Sequence, residues 1–262
     1  MKTGGRRCAG PLKAKMNRGD IGKAVGKLAG AKSLLVITGA GISAESGIPT
    51  FRGSDGLWNN HRAEDLATPS AFERDPAVVW QWYDWRRGII AKAMPNPGHL
   101  AIKDLEGMFG HFLLITQNVD GLHERSGIRN IIEIHGNLWR VRCVRDGRGS
   151  MLMDVPLKEV PPRCACGALL RPDVVWFGES IPGEALRRSF QALEACDVLL
   201  VVGTSGVVYP VASFPEEVKG NGGFVIEINM EETPITRAAD VSLFGRSGDI
   251  LPEIVKELKK SR

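Results

Sequence analysis

The fold of this chain is decided by the stretch Leu34-Leu-Val-Ile-Thr-Gly-Ala-Gly-Ile-Ser-Ala-Glu-Ser-Gly-Ile-Pro-Thr-Phe-Arg52. It opens with an apolar run that contains β-branched residues, a pattern typical of a buried parallel strand. The segment Gly39–Ala44 fits the Gly-x-Gly-x-x-Gly/Ala turn of dinucleotide sites, where the backbone approaches a pyrophosphate at a helix N-terminus. The acidic residue expected about 20 positions later is not evident. The turn alone therefore does not separate a dinucleotide site from an ordinary turn between a strand and a helix.

Apolar runs recur along the chain and alternate with helical patterns. Strands are predicted in these further runs: Phe112–Thr116, Asn130–His135, Val174–Phe177, Asp197–Gly203 and Phe224–Asn229. Helices are predicted over residues 20–30, 183–196 and 250–258, because apolar residues recur there at helical spacing. Strands that alternate with helices indicate an α/β fold with a Rossmann-like, doubly wound parallel sheet.

Two stretches depart from this alternation. Residues 53–105 carry three tryptophans within six positions, several prolines and no clear strand, which predicts a helical insertion. From Cys143 to Pro172 the hydrophobic pattern collapses, which favours either a long loop or a small, metal-stapled module resembling a zinc ribbon. The predicted organisation is a basic, flexible tail over residues 1–19 and one domain over 20–262. That domain has a large nucleotide-binding part (20–52, 106–137, 178–262) and a small domain formed by insertions (53–105, 138–177).

Composition and charge exclude several classes of protein. The net charge of +4 is too small to argue for direct binding of nucleic acid. No apolar segment follows the basic tail, so no signal peptide is expected. The longest apolar stretch, Val198–Phe214, is broken by glycines and a proline, so no membrane span is expected either. The five cysteines, an odd number, indicate a reducing compartment and therefore a cytoplasmic protein.

Polar or Gly-rich sequence follows four of the predicted strands. These strand ends are Gly39–Ser43, Gln117–Asp120, Gly203–Ser205 and Asn229–Glu231. In a doubly wound sheet, ligands bind outside the carboxyl ends of the strands. Loops there are polar in any case, but four such loops, each after an apolar strand, favour a nucleotide site over four unrelated loops.

Five segments, in order along the chain, resemble the sirtuins, a family of NAD-dependent protein-lysine deacylases. They are Gly39–Arg52, Thr116–His123, Ile134–Gly136, Val174–Glu179 and Val202–Ser205. The resemblance extends over about residues 20–258 and leaves the basic tail outside. It implies that NAD is consumed as a co-substrate and that acyl-lysine proteins or peptides are the partners.

The resemblance also implies which residues act on NAD. His135 matches the general base that deprotonates a ribose hydroxyl, a task that suits an imidazole titrating near neutrality. Asn118 and Asp120 match the positions that orient the ribose and nicotinamide. The cofactor-binding residues expected from the resemblance are Gly39, Ala40, Gly41, Ile42, Ser43, Glu45, Phe51, Arg52, Trp58, Gln117, Asn118, Val119, Asp120, Gly203, Thr204, Ser205, Asn229, Met230, Glu231 and Ser247. Binding of the adenine ribose at Asn229 and Glu231 would explain the missing acid after the Gly-rich turn.

The expected substrate is an acyl-lysine peptide. Two segments, Val174–Glu179 and Val207–Pro210, match those between which family substrates insert as an extra strand, held by main-chain hydrogen bonds. The contacts expected there are Val175, Trp176, Phe177, Gly178, Glu179 and Val208.

A pair on one predicted helix bears on the acyl group. Tyr83 and Arg86, three residues apart, would place a phenol and a guanidinium on one face, and this pair can receive a carboxylate. Ala67 would leave room for a longer acyl chain. Most such pairs are surface contacts, but these residues resemble the sirtuin class that removes succinyl, malonyl and glutaryl groups. Removal of acidic acyl groups is therefore expected, together with acetyl groups.

The cysteines depart from the usual sirtuin pattern of two Cys-x-x-Cys pairs. Cys143 stands where the first pair begins, but position 146 is Asp, and the second pair is compressed to Cys164-Ala-Cys166. Three thiolates could hold a structural zinc ion, with Asp146 or a water as the fourth ligand. A metal-free loop with leftover thiols is the open alternative.

Other functions stay open beside acidic deacylation. They are an acetyl-selective deacetylase, a mono-ADP-ribosyltransferase that cleaves NAD for another acceptor, and an NAD-binding module without activity. A dehydrogenase fits poorly because Asn118 and Asp120 would then have no role.

Overall fold

Six parallel strands form the main sheet of the chain, whose computed structural model describes residues 18–50 and 62–261. The helices are α1 (Arg18–Gly30), α2 (Ala40–Ala44), α3 (Ala63–Leu66), α4 (Pro69–Arg74), α5 (Pro76–Lys92), α6 (Pro97–Met108), α7 (Leu122–Arg125), α8 (Gly183–Glu194), α9 (Phe214–Gly220) and α10 (Ser247–Ser261). The strands are β1 (Ser33–Thr38), β2 (His111–Thr116), β3 (Ile131–Glu133), β4 (Gly136–Cys143), β5 (Gly149–Met151), β6 (Leu170–Val174), β7 (Val198–Val202), β8 (Phe224–Asn229) and β9 (Val241–Phe244).

The order of strands in the main sheet is β3-β2-β1-β7-β8-β9, and every neighbouring pair is parallel. The chain moves outward from β1 to β3 and then returns to β7 on the other side of β1. This order confirms the predicted doubly wound sheet. The direction of winding reverses between β1 and β7, and a crevice forms there at the carboxyl ends of the strands.

Both faces of the main sheet are covered, which explains the unbroken apolar run in β1. Leu34 and Val36 pack on one face, in a core with helices α1, α6 and α10. Leu35 and Ile37 point to the opposite face and pack with α8 and α9. Since alternate side chains of a strand point to opposite faces, a strand buried on both sides must be apolar throughout.

A second core lies between the insertions, where β5, β4 and β6 form a small antiparallel sheet. Arg87 of α5 is fully buried in this region. Its guanidinium donates hydrogen bonds to the carbonyl oxygens of Leu138 (2.7 Å), Leu152 (2.6 Å) and Asp154 (3.0 Å). These bonds join the helical insertion to a part of the chain that lies 51 to 67 residues further on.

One strand lies earlier than the sequence predicts. The strand expected over Val174–Phe177 is Leu170–Val174, so the prediction is wrong for its last three residues. Pro172 argues against a strand, but β6 is an edge strand of the small sheet, where a missing N–H is tolerated. Beyond β6, two N–H groups instead donate to the carbonyl oxygens of His135 and Ala67, each at 2.9 Å.

Helix α6 lies within the stretch expected to be an insertion, yet it packs on the main sheet. Its Ile102 and Leu105 are buried in the core that also contains α1 and α10. The division of the chain into a large and a small part stays a prediction, with α6 on the side of the large part. Over the described ranges, no helix combines the length and apolar character that a bilayer crossing requires.

Candidate functional site

Packed backbone forms the floor of the crevice between β1 and β7. Gly39 donates its N–H to the Val202 carbonyl (3.0 Å), and Gly41 donates to the Gly203 carbonyl (2.8 Å). A Cβ on Gly41 would lie 2.8 Å from Gly203 Cα, and Gly203 has a φ of +60°. Glycine is required at both positions because the two strand-end loops touch through their main chains. The result is a bare, Gly-rich backbone of the kind that lets a pyrophosphate approach closely.

A hydrogen-bonded cluster follows β2 and joins this floor. Asn118 Nδ2 donates to the Gly39 carbonyl (3.0 Å) and to Ser43 Oγ (3.1 Å). Ser43 Oγ donates in turn to Asp120 Oδ2 (2.8 Å), while Leu122 N–H donates to Asp120 Oδ1 (2.8 Å). Hydrogen bonds therefore fix the orientation of both carboxylate oxygens of Asp120 and of the Asn118 amide.

The environment of Asp120 weakens its acidity. Burial raises the pKa of Asp120, although hydrogen bonds from Leu122 and Ser43 and the positive charge of Arg86 favour the ionised form. Arg86 is thus close enough to act on the predicted catalytic carboxylate, which links the expected acyl receptor to the crevice.

His135 follows β3 and carries a defined tautomer. Its Nδ1 lies 3.2 Å from the Gln117 carbonyl oxygen, which can only accept, so Nδ1 bears the proton. In the neutral ring the Nε2 lone pair is then available to accept a proton. Burial lowers the pKa of His135, partly offset by the bond to Gln117. Gln117 also donates from Nε2 to Thr204 Oγ1 (2.9 Å), so the ends of β2, β3 and β7 meet here.

The end of β8 completes the crevice. Asn229 Nδ2 donates to the Thr204 carbonyl (2.8 Å), and Asn229 Oδ1 accepts from the Met230 N–H (2.9 Å). The Asn229 side chain is therefore held against the backbone of Thr204, beside the floor of the crevice. The residues expected to reach NAD from exposed positions here are Ser205, Met230 and Glu231.

Two residues expected to contact NAD bond each other. Glu45 Oε1 accepts from Ser247 Oγ (2.7 Å) and from the Gly248 N–H (3.0 Å), so this carboxylate caps the first turn of α10. Their contact with NAD stays a prediction. Of the other expected contacts, Ile42 is buried, and Ala40 and Val119 are half-buried. Phe51, Arg52 and Trp58 lie outside the described residues.

The expected acyl receptor lies between the crevice and the segment after β6. The Tyr83 hydroxyl accepts a hydrogen bond from Trp176 Nε1 (2.8 Å), and burial raises the pKa of Tyr83 well above its usual range. Arg86 is only 4% exposed, and burial lowers its pKa while Tyr83 and Asp120 act in the opposite direction. Ala67 is buried in the same core as Tyr83, and its carbonyl accepts a hydrogen bond from the Phe177 N–H (2.9 Å).

The segment expected to bind the peptide, Val174–Glu179, is fixed by an ion pair. Glu179 accepts two bonds from the Arg171 guanidinium (2.6 and 2.8 Å) and one from the Trp176 N–H (2.9 Å). Phe177 is 41% exposed beside this anchored turn. The other expected contacts are half-buried or exposed: Val175, Gly178 and Val208.

Three cysteines come together near the end of β4, as the zinc alternative requires. The sulfur atoms of Cys143, Cys164 and Cys166 all lie within 4.8 Å of one another. Hydrogen bonds from the Arg148 N–H and from the Cys143 thiol lower the pKa of Asp146. Its carboxylate adjoins Cys143 but does not lie within 4.8 Å of all three sulfur atoms. Three thiols and an adjacent carboxylate fit a tetrahedral zinc site.

The family follows from a direct comparison. The model of the Sir2 family matches residues 39–210 of the chain. The chain belongs to the Sir2 family.

Named relatives agree with this assignment. The NAD-dependent protein deacylase 2 of Pyrobaculum aerophilum is 56% identical over 234 residues, which cover 89% of this chain and 94% of the relative. The NAD-dependent protein deacylase of Aquifex aeolicus is 54% identical over 229 residues, which cover 87% of this chain and 96% of the relative.

Solved Sir2 structures have the same fold. A Sir2 homologue in complex with NAD superposes with a TM-score of 0.88 at 49% identity, covering 92% of this chain and 94% of that one. Sir2Af2 bound to a myristoylated histone peptide superposes with a TM-score of 0.77 at 35% identity, covering 93% of this chain and 98% of that one. NAD is therefore the cofactor of this Sir2 chain, and the donors and bare backbone of its crevice fit it.

Sequence reasoning missed two residues that support the Sir2 crevice. Trp139 Nε1 donates to the Asp120 carbonyl (3.0 Å), and its ring lies against Gly121. His123, which ends one of the sirtuin-like segments, is buried with its Nε2 2.9 Å from Thr38 Oγ1. A signal for His123 existed, since Thr38 and Thr116 are paired polar residues at the ends of two apolar strands. Trp139 had no such signal.

Metal analysis tests the cysteine cluster of this Sir2 chain. Freshly purified, untagged protein is expected to contain about one zinc ion per chain, and Cys143→Ser is expected to lose most of it, because two thiolates hold zinc poorly. The melting temperature should fall with the zinc content, since the metal staples a segment with little core of its own. Cys196→Ser is the matched control, because Cys196 is buried away from the cluster, in the core that packs α8 and α9 on the main sheet. Equal zinc contents in the two variants would contradict the assignment.

Proposed function

We propose that this chain, an NAD-dependent protein deacylase of the Sir2 family, removes succinyl and malonyl groups as well as acetyl groups from lysine side chains. From NAD, the acyl-lysine and one water molecule, its products would be nicotinamide, O-acyl-ADP-ribose and free lysine. The observation that carries the acidic preference is the buried pair Tyr83 and Arg86, placed between Trp176 of the peptide segment and the Asp120 carboxylate. A guanidinium next to a neutral phenol is suited to a carboxylate at the end of an acyl chain.

The chain's own residues divide the chemistry among them. When bound, NAD supplies an anomeric carbon from which nicotinamide can leave. Asn118 and Asp120, held by Ser43, orient the ribose and nicotinamide, and a fixed orientation lowers the entropic part of the barrier. The acyl oxygen would replace nicotinamide at that carbon. His135 Nε2 would accept the proton of a ribose hydroxyl, while the His135 Nδ1–H keeps its hydrogen bond to the Gln117 carbonyl.

The peptide is proposed to bind as a strand beside Val174–Glu179. The Arg171–Glu179 pair keeps this segment in place, and main-chain hydrogen bonds give affinity with little demand on sequence. The histone peptide bound to Sir2Af2 supports an acylated peptide as the substrate class. The four cysteines of the described residues form no disulfide with one another, which supports a reducing cytoplasm as the site of action.

A panel of acyl-peptides tests the proposal. Lysine peptides carrying succinyl, malonyl, acetyl or myristoyl groups are incubated with and without NAD, and products are identified by mass. We expect NAD-dependent loss of succinyl and malonyl groups at rates at least equal to acetyl, with O-acyl-ADP-ribose formed in step.

The other outcomes of the panel identify the alternatives. Acetyl loss alone would indicate an acetyl-selective enzyme. Nicotinamide release with ADP-ribose attached to protein, and without O-acyl-ADP-ribose, would indicate an ADP-ribosyltransferase. Either result would contradict the proposed acyl preference.

A further inference from the structure

The loop after β8 is closed by a buried carboxylate. Glu227, in the middle of β8, is 1% exposed. It accepts hydrogen bonds from Thr233 Oγ1 (2.6 Å), Thr236 Oγ1 (2.7 Å) and Ser242 Oγ (2.9 Å). A buried carboxylate is costly unless hydrogen-bonded, and bonds of this kind are among the strong ones in proteins. Glu227 therefore holds three hydroxyls in fixed positions.

Two of these hydroxyls belong to one short turn of helix. Thr233 is the N-cap and Thr236 the third residue of a 3-10 helix over Pro234–Arg237. Thr233 Oγ1 accepts from the Ile235 N–H (3.1 Å), and Thr236 Oγ1 accepts from the Thr233 N–H (2.9 Å). Each threonine hydroxyl thus caps the helix and donates to Glu227. The Glu227 carboxylate therefore joins the 3-10 helix to strand β8, which precedes it in the chain.

Between these points lies Asn229–Glu231, the strand end expected to bind the adenine ribose. Asn229 is tied to the Thr204 carbonyl on the neighbouring strand end (2.8 Å). Ile235 packs against Gly206, where a Cβ would approach Ile235 Cγ1 to 2.8 Å. Three elements therefore hold the loop Asn229–Glu231 in position: strand β8 before it, the end of β7 beside it, and the 3-10 helix after it.

We infer that Glu227 is a positioning residue for the adenosine half of NAD, acting through Thr233 and Thr236 on the loop Asn229–Glu231. The inference rests on the proposed function only in that NAD binds in this crevice. Ser242 provides a matched control, because its hydroxyl bonds the same carboxylate oxygen as Thr236 but lies on β9 and not on the loop.

The test compares Thr236→Val with Ser242→Ala, since each removes one hydroxyl from Glu227. Affinity for ADP-ribose is measured by titration calorimetry, and KM for NAD and kcat are measured with saturating acyl-peptide. Thr236→Val is expected to weaken ADP-ribose binding about fivefold and to raise KM for NAD by a similar factor, with kcat within about twofold, because the hydroxyl loses its bond to the Glu227 carboxylate and its cap on the Thr233 N–H. Ser242→Ala should leave the ADP-ribose affinity and KM for NAD within about twofold of the wild-type values, even if it lowers thermal stability as much as Thr236→Val does. Thr236→Ser, which retains the hydroxyl, should restore the wild-type constants.

Two results would overturn the inference. One is an equal loss of ADP-ribose affinity in Thr236→Val and Ser242→Ala, which would reduce Glu227 to a role in stability. The other is unchanged affinity in both Thr236→Val and Glu227→Gln. ADP-ribose binding requires no deacylation, so wild-type protein that binds it but removes no acyl group would contradict the proposed function while these variants still decide the role of Glu227.

Discussion

Replacing His135 with alanine is expected to lower kcat/KM for the acyl-peptide about a thousandfold, the usual magnitude for loss of a general base. The Gln117 carbonyl fixes the proton on Nδ1, so Nε2 is the nitrogen that can accept a proton. Alanine removes this acceptor and leaves the carbonyl of Gln117 in place. Nicotinamide release and O-acyl-ADP-ribose formation, followed by mass, measure the loss.

The pH profile of the wild-type enzyme should also report the role of His135 as a base. A base must be neutral to act, and burial lowers the pKa of His135 below its ordinary value of 6.5. The rate should therefore be highest where His135 is neutral, and it should decline only as the pH falls through the lowered pKa, at a more acidic pH than for an ordinary histidine.

His111→Ala is the matched control for this prediction. His111 is exposed and begins β2, at the end of the strand opposite the crevice. Its rates and pH profile should equal those of the wild type. An alanine at position 135 that retains more than a tenth of the activity would rule out His135 as the base.

Replacing Arg86 with methionine is expected to lower kcat/KM for succinyl-lysine peptides about a hundredfold, because the carboxylate of the acyl group loses a buried ionic partner worth roughly 3 kcal/mol. Methionine keeps an unbranched side chain and removes the charge. The rate on acetyl-lysine peptides should fall only a few-fold, through the loss of a positive charge near Asp120. The ratio of the two rates is the decisive quantity.

Arg188→Met serves as the control for loss of one arginine charge, since Arg188 is exposed on α8. Tyr83→Phe should lower the succinyl rate less than Arg86→Met, because a neutral donor is lost instead of a charge. If Arg86→Met slowed succinyl and acetyl substrates by the same factor, the guanidinium would be a support for Asp120 and not an acyl receptor.

The main sheet was predictable because its strands are buried on both faces. Leu34–Ile37 and Val198–Val202 are unbroken apolar runs, and a strand covered on both sides permits little else. The polar strand ends were predictable for a related reason, since the carboxyl ends of parallel strands meet at one edge. His135, Asn118 and Asp120, by contrast, were assigned through resemblance to a family.

Features that depend on contacts between distant segments were not predictable. Strand β9 has four residues and becomes a strand only by pairing with β8. The role of Glu227 depends on hydroxyls that reach it from two other elements, and a glutamate in an apolar run carries no sign of them. The start of β6 was missed because the hydrophobic pattern is weak as far as Pro172, and local sequence does not tell an edge strand, where proline is tolerated, from a central one.

The buried guanidinium of Arg87 has a consequence for how the molecule folds and opens. Its hydrogen bonds go to the backbone of Leu138, Leu152 and Asp154, which arrive only when the second insertion is in place. Until then a cation inside the first insertion would lack these partners, at a cost of several kcal/mol. Neither insertion can therefore gain its full stability alone. We expect the two to open together, so that their slowest amide hydrogens would exchange in one step.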